Sequence, residues 1–433
     1  MKQWKSFIFE DYEFNVSTGV LTLSYSYDSE LFFTETYAFP AGAIQANALP
    51  AIESAAFTLF IMAGISYYKA YLVPTIELKK GSLSQAQADF FYTTYLHGLG
   101  QLLFENKISP SRIAHFPVSE SWASSEAVPL SLDGVLLAFG GGKDSLLAMN
   151  ILASENVQLD IFSLRPTPAL VTIAEHTKRT FWSVSRVLDP KIVELNASGA
   201  FNGHLPITAI VSIASIILAL CTGKREVIFS NERSTREPSL VYEGLSINHQ
   251  YSKSFAFELA LQEYIKHYIT PDILYYSLLR PLTDLQIAKT FANKLFATYG
   301  ESFTSCNTNF KLDGADQKPY WCGHCTKCAA TFLLFSPFLD KEKLTGLFNG
   351  KDLLADPELD STYRQLLGLE GYKPLDCVGE VEENRLALHM AFGTNQYPEV
   401  VRFNCPESTF DNSVFGEHAM PERRAQNVRN YLM

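Results

Sequence analysis

The run Gly140-Gly141-Gly142-Lys143-Asp144-Ser145 gathers the residue types that an anionic group needs. Three glycines let the backbone approach without Cβ clashes, Lys143 adds a point charge and Ser145 a hydroxyl donor. Apolar residues from Val135 to Phe139 lead in and a helix-forming run from Leu146 leads out. The loop therefore joins a strand to a helix N-terminus, whose unpaired amides and dipole favour phosphate. The Walker A spacing is absent: Asp144 separates Gly142-Lys143 from Ser145, and Leu137 stands where the earlier glycine belongs. A second dense polar cluster, Ser230-Asn231-Glu232-Arg233-Ser234, follows the strand-like Glu226 to Phe229. Further on, His249 and Lys253 are four apart and can share one helix face. Such a pair suits an acid and a base, and equally a solvated surface.

Cys322, Cys325 and Cys328 make two successive Cys-x-x-Cys steps, with Cys306 ahead of them. Four thiolates at this spacing can close a tetrahedral Zn²⁺ site, expected here in preference to an iron–sulfur cluster or unligated thiols. A fully sulfur-ligated ion has no open position, so the metal is structural. Cys221, Cys377 and Cys405 read as ordinary buried or isolated cysteines.

Residues 5 to 40 alternate apolar and polar at period two, which predicts an antiparallel meander. Helical segments near 51–71 and 84–105 complete an α+β N-terminal domain over 1–125, and Ser119 to Pro129 reads as a linker. From Leu132 the rhythm becomes strand, helix, strand, with strands at Val135–Phe139, Val157–Leu164, Phe181–Val187 and Glu226–Phe229. That predicts a doubly wound parallel α/β sheet over 126–300, with ligands at the carboxyl ends of the strands, where Gly140–Ser145 and Ser230–Ser234 both fall. A helical region stapled by zinc on the four cysteines follows over 301–385. The tail, 386–433, carries no motif.

The 433 residues are 47% hydrophobic and 19% charged, enough to bury a large core. A formal net charge of -11 argues against an extended basic footprint for nucleic acid and favours a small-molecule substrate. Acids at Glu10 and Asp11 come too early for a signal peptide, so a cytoplasmic protein is expected. Leu205 to Gly223 carries no charge, but Pro206, Thr208, Ser212 and Ser215 mark it as a buried helix rather than a membrane span.

The glycine loop resembles the PP-loop of the ATP pyrophosphatase (adenine nucleotide alpha hydrolase-like) superfamily, usually Ser-Gly-Gly-x-Asp-Ser, with Gly140 replacing the leading serine. The resemblance implies cleavage of ATP between the α and β phosphates and transfer of AMP to a substrate oxygen. A PP-loop followed by this cysteine pattern is also similar to the enzymes that make 7-cyano-7-deazaguanine, so an ATP-dependent nucleobase or tRNA modifying enzyme is the alternative. A non-catalytic nucleotide sensor is a third reading. A longer resemblance joins Gly64 to Lys69, the triple-glycine loop, Asn202-Gly203-His204, Ser230 to Ser234, Asn248 to Glu258, Ser277 to Leu282, Cys322 to Cys328 and Cys377-Val378-Gly379-Glu380. Together these blocks look like the MurL family. That implies ATP-dependent epimerisation of the terminal L-glutamate of UDP-N-acetylmuramoyl-L-alanyl-L-glutamate (UDP-MurNAc-L-Ala-L-Glu), with no nucleic-acid partner and no membrane insertion. The family supplies no residue roles here, so chemistry assigns them. Gly140 to Ser145 with Ser230 and Asn231 would hold ATP, Lys143 touching phosphate and Asp144 helping to hold Mg²⁺. His249, Lys253 and Glu232 are the candidate bases, and Arg233 or Arg280 would grip the glutamate side-chain carboxylate.

Overall fold

The computed structural model describes residues 3–41, 44–119, 129–310 and 321–433. Strands β1 (Ser6–Asn15), β2 (Val20–Tyr27) and β3 (Leu31–Ala38) form the expected antiparallel meander. Alternation decides which face is inside: Leu21, Leu23, Tyr25 and Tyr27 of β2 are fully buried. The Tyr25 hydroxyl donates to the Phe60 carbonyl at 2.9 Å and its ring stacks on Phe60, which fixes the helix Leu49–Ala63 against the sheet. A short strand, β4 (Thr75–Leu78), adds in parallel to β1. Gly64 breaks the helical run where the Phe9 ring approaches; a Cβ there would lie 2.4 Å from it. The run Ala46–Tyr68 is long and apolar enough to cross a membrane, but 72% of its apolar window is buried inside the protein.

The parallel strands are β5 (Val135–Ala138), β6 (Leu159–Leu164), β7 (Thr180–Val187), β8 (Glu226–Phe229) and, beyond the small hairpin β9 (Leu240–Tyr242) and β10 (Leu245–Ile247), β11 (Leu274–Ser277). Their spatial order is β7-β6-β5-β8-β11, so the winding reverses between β5 and β8. A crevice opens at the carboxyl ends of strands at such a reversal. Buried residues of β5 alternate between two cores, Leu136 facing one and Val135 and Leu137 the other. The helices Lys143–Ala153 and Ile207–Thr222 cover these opposite faces. The second helix is apolar nearly all round because it is enclosed, and Gly223 ends it in the left-handed conformation at φ 70°.

The chain is thus α/β with a large, mostly parallel sheet, and the meander is part of that sheet. Residues Thr36, Tyr37 and Ala38 of β3 pair antiparallel with Val187, Arg186 and Ser185 of β7, making nine continuous strands. The sheet therefore crosses the boundary expected between 125 and 126. Residues 120–128 of the expected linker lie outside the described residues. One helical expectation changes. Ser254 caps the helix Phe255–Tyr268 by accepting from the Phe257 amide at 3.2 Å, so His249 and Lys253 precede it and share no helix face. The tail ends in a helix, Glu422–Leu432, whose Arg424 is 1% exposed and ion-paired with Glu226 of β8 at 2.8 Å and with Glu155.

Candidate active site

The loop after β5 turns on Gly141, whose φ of 72° favours glycine and whose added Cβ would lie 2.9 Å from Leu170. A Cβ at Gly140 would meet nothing within 4 Å, leaving its backbone open toward the crevice. The first intrahelical bond runs from the Leu146 amide to the Gly142 carbonyl at 3.1 Å, so the amides of Lys143, Asp144 and Ser145 head the helix as anion donors. The Ser145 hydroxyl donates to the Gly142 carbonyl at 3.1 Å.

This loop forms one wall of a cavity of about 440 Å³, within the size range of small-molecule sites. Ser230, Asn231 and Glu232 enter it from the end of β8, Gln250 and Lys253 from the segment before the helix Phe255–Tyr268, and Asp284 from the start of the helix Asp284–Lys294. Lys327 and Cys377 also line it. The Asn231 amide donates to the Ser277 hydroxyl at 3.0 Å.

Charge is unevenly distributed. Lys143 is ion-paired with Asp144 at 2.8 Å and with the buried Asp284. Burial, then the neighbouring charge of Asp284, pushes the Glu232 carboxyl up to about 7. Glu383, behind the wall, rises to about 8 from burial and then the charges of Asp284 and Glu232, although it accepts from the Leu285 amide at 2.7 Å. At this end of the cavity acids outnumber the Lys143 ammonium, a surplus of negative charge that a divalent cation between Asp144 and Asp284 would relieve.

His249 stands behind this wall. Its Nδ1 and Gln101 Oε1 are 2.5 Å apart, and its ring lies 4.0 Å from that of His204. Burial, then His204, lowers His249 to about 2; burial, then Lys253, lowers His204 to about 4. Both rings are therefore neutral near pH 7, and His249 does not line the large cavity.

The two arginines are committed elsewhere. Arg280, 3% exposed, donates to Glu258 through Nε at 3.0 Å and Nη2 at 2.7 Å, to the Glu232 carbonyl at 2.9 Å, to Thr235 Oγ1 at 2.7 Å and to the Lys253 carbonyl at 2.7 Å. It ties the segments carrying Glu232 and Lys253 together. Arg233 lies 3.5 Å from Glu380 and over the Phe410 ring.

Cys306, Cys322, Cys325 and Cys328 converge beside the cavity, their sulfurs within 4.8 Å of one another. Four of the sulfur–sulfur edges are 3.5, 3.7, 3.8 and 3.9 Å. A tetrahedron with metal–sulfur bonds of about 2.3 Å has edges of about 3.8 Å, so the cluster can hold a metal ion. Amides of Cys322 and Gly323 point at the Cys306 and Cys328 sulfurs, each at 3.4 Å, the outer support such thiolates need.

The family model described as the MurL N-terminal domain matches residues 1–278, and that described as the MurL C-terminal domain matches residues 302–405. The chain belongs to the MurL family. A MurL-family relative from Xanthomonas oryzae pv. oryzae (strain MAFF 311018), named UDP-N-acetyl-alpha-D-muramoyl-L-alanyl-L-glutamate epimerase, is 36% identical over 401 residues, 92% of this chain and 88% of the relative. Proteins of the same name from Salinispora tropica and Micromonospora sp. (strain ATCC 39149) are 35% and 34% identical, covering 90% and 92% of this chain and 85% and 89% of their own lengths. No solved structure matches the chain. Both MurL domains contribute to the cavity: Gly140 to Lys253 come from the first, and Thr304, Lys327 and Cys377 from the second.

Asp284, Gln250, Lys327 and Cys377 escaped sequence reasoning. Asp284 reads as a helix start after Thr283, Lys327 is hidden within the cysteine pattern, and Cys377 reads as an ordinary cysteine although its block carries the family resemblance.

Proposed function

We propose that this chain converts the terminal L-glutamate of UDP-MurNAc-L-Ala-L-Glu to D-glutamate for peptidoglycan precursor synthesis, cleaving ATP to AMP and diphosphate. The observation that carries the reading is the meeting, in one cavity, of a phosphate-suited glycine loop with Lys253 and Glu232, in a chain whose relatives bear the epimerase name.

ATP supplies the means of acidifying carbon. Beside a free carboxylate the Cα–H is scarcely acidic, because a carbanion would add a second negative charge. Transfer of AMP to that carboxylate removes its charge, and the acyl group then withdraws electrons, so a side-chain base suffices. Gly140, Gly141, Gly142, Ser145, Ser230 and Asn231 would hold ATP in a PP-loop arrangement, and Lys143 would leave its two aspartates for phosphate. Asp144 and Asp284 would bind Mg²⁺, which neutralises phosphate charge when present. Lys253 and Glu232 line the cavity that would take the substrate, while His249, behind the wall and of low basicity, would support them. Arg280 would order the segments bearing Lys253 and Glu232, and Arg233 the outer wall. Water then releases AMP and the D-epimer.

The four cysteines would bind a structural Zn²⁺, holding the helix Thr326–Phe335 so that Lys327 faces the cavity. The acidic composition supports a substrate other than nucleic acid, in the cytoplasm where nucleotide precursors are built. The test is incubation of the protein with ATP, Mg²⁺ and UDP-MurNAc-L-Ala-L-Glu. D-glutamate, AMP and diphosphate in equal amounts are expected, and D-glutamate formed without AMP would exclude the coupling.

A further inference from the structure

Cys377 stands apart from the metal cluster, and its sulfur lies 3.5 Å from the Lys253 ammonium. Both groups line the cavity that contains the glycine loop. Asp376 fixes the cysteine by accepting from its amide at 2.8 Å, and is itself held by Thr326 at 2.5 Å and Asn307 at 2.6 Å. Next to them Gln250, 6% exposed, presents both amide atoms buried and without a hydrogen-bond partner among the described residues. A side chain so placed in a cavity wall awaits a polar group on a ligand.

We propose that Cys377 is the catalytic acid–base that exchanges the substrate Cα proton, with Lys253 as its charged partner and Gln250 binding the adjoining peptide of the substrate. The inference rests on the ATP-coupled epimerase reading. His249, Asp376 and Cys377 also lie close enough to share a metal ion. Charge decides against that: Lys253 stands at the sulfur and Lys327 lies 3.7 Å from the Asp376 carboxylate, so a divalent cation would meet two ammonium groups. A sulfur beside a cation is instead the setting of reactive cysteines.

In the step, the Cα–H bond breaks and an S–H bond forms. The electron pair moves into the activated carbonyl, giving a planar enolate. Carriers on opposite faces of one carbon each need to approach within about 3–3.5 Å, hence stand roughly 6–7 Å apart. Cys377 and Lys253 are too close for that and serve a single face. Glu232 gives its proton to the other face, the carbonyl re-forms, and the two carriers re-equilibrate with water through the open cavity.

The test uses the full chain with ATP, Mg²⁺ and UDP-MurNAc-L-Ala-L-Glu in D₂O, comparing wild type with Cys377→Ala and Cys377→Ser. Diphosphate release and deuterium at Cα are measured separately, and the quenched protein is weighed intact. Both variants should release diphosphate within about tenfold of wild type yet lose at least about 100-fold in deuterium incorporation, the scale of general acid–base catalysis. Exchange near the wild-type rate in Cys377→Ala would overturn the proposal, as would an equal fall of both readouts in both variants. A substrate adduct on Cys377 would overturn it too, showing a nucleophile instead. Absence of diphosphate release by the wild type would defeat the ATP-coupled reading itself, whereas normal release with unaffected exchange in the variants defeats only the role of Cys377.

Discussion

Replacing Arg280 by lysine separates a structural from a substrate-binding guanidinium. The side chain makes five contacts to four acceptors at once: two to the same Glu258 carboxylate oxygen and one each to the Glu232 carbonyl, Thr235 and the Lys253 carbonyl. An ammonium has three donors and no planar fork, so at least one of these four acceptors loses its partner. A buried group left unpaired costs about 1–3 kcal/mol, which makes roughly 2 kcal/mol a central expectation. The nine-stranded sheet links both halves of the chain. If all 433 residues unfold together, an unfolding entropy of about 2.1 cal/mol/K per residue gives about 0.9 kcal/mol/K. Arg280→Lys should therefore lower Tm by roughly 2 °C in differential scanning calorimetry. Arg280→Met leaves Glu258 as an unpaired buried charge costing about 3–5 kcal/mol, so its Tm should fall further, by roughly 3–6 °C. Because Lys253 and Glu232 lose a common tether, kcat should fall more than KM rises in Arg280→Lys. A wild-type Tm combined with an increased KM for the dipeptide substrate alone would refute this reasoning and return Arg280 to the substrate carboxylate.

Lys143→Ala should abolish AMP formation, and Asp284→Asn should reduce it at least about 100-fold with partial recovery at high Mg²⁺; wild-type AMP formation by both variants in a chromatographic assay would remove the loop from catalysis. Glu232 and Glu383 hold protons up to about 7 and 8, against an ordinary 4.5. Their stabilising contribution is complete below 4.5 and is lost as pH rises through 7 and 8. Tm of the protein in Mg²⁺-free buffer should therefore drop between about pH 5.5 and about pH 8.5. Glu383→Gln should flatten that slope, and an unchanged slope would discount burial as its cause. The purified protein should contain about one Zn²⁺ per chain, with chelation or Cys325→Ser lowering Tm and soluble yield; full stability without metal would contradict a structural ion.

The strand–glycine turn–helix was legible because its signals are local: an apolar strand, glycines and a helix start occupy one short stretch, and Gly141 needs its positive φ for that turn. The cysteine cluster was legible for a similar reason, since two Cys-x-x-Cys steps bring three of its sulfurs together with little help from the rest of the chain. Contacts between distant segments were not. The pairing of β3 with β7 joins residues separated by much of the chain, and nothing in Thr36 to Ala38 announces its partner. Arg424 looks like any charged residue of an amphipathic helix until Glu226 and Glu155 enclose it. Arg280 follows Ser277-Leu278-Leu279, a mostly apolar context that already hints at burial. Cys377 meets Lys253 across 124 residues of sequence, so its chemical setting exists only in the folded chain.

Activation of the glutamate carboxylate by ATP, for loss of the Cα proton, is tested most directly by one reaction in D₂O. It is followed by chiral separation and mass measurement of the released glutamate, together with AMP and diphosphate. The expected product is D-glutamate bearing one deuterium at Cα, with one AMP and one diphosphate formed for each D-product. D-glutamate that retains its original Cα hydrogen, or that forms at the same rate without ATP, would contradict that activation.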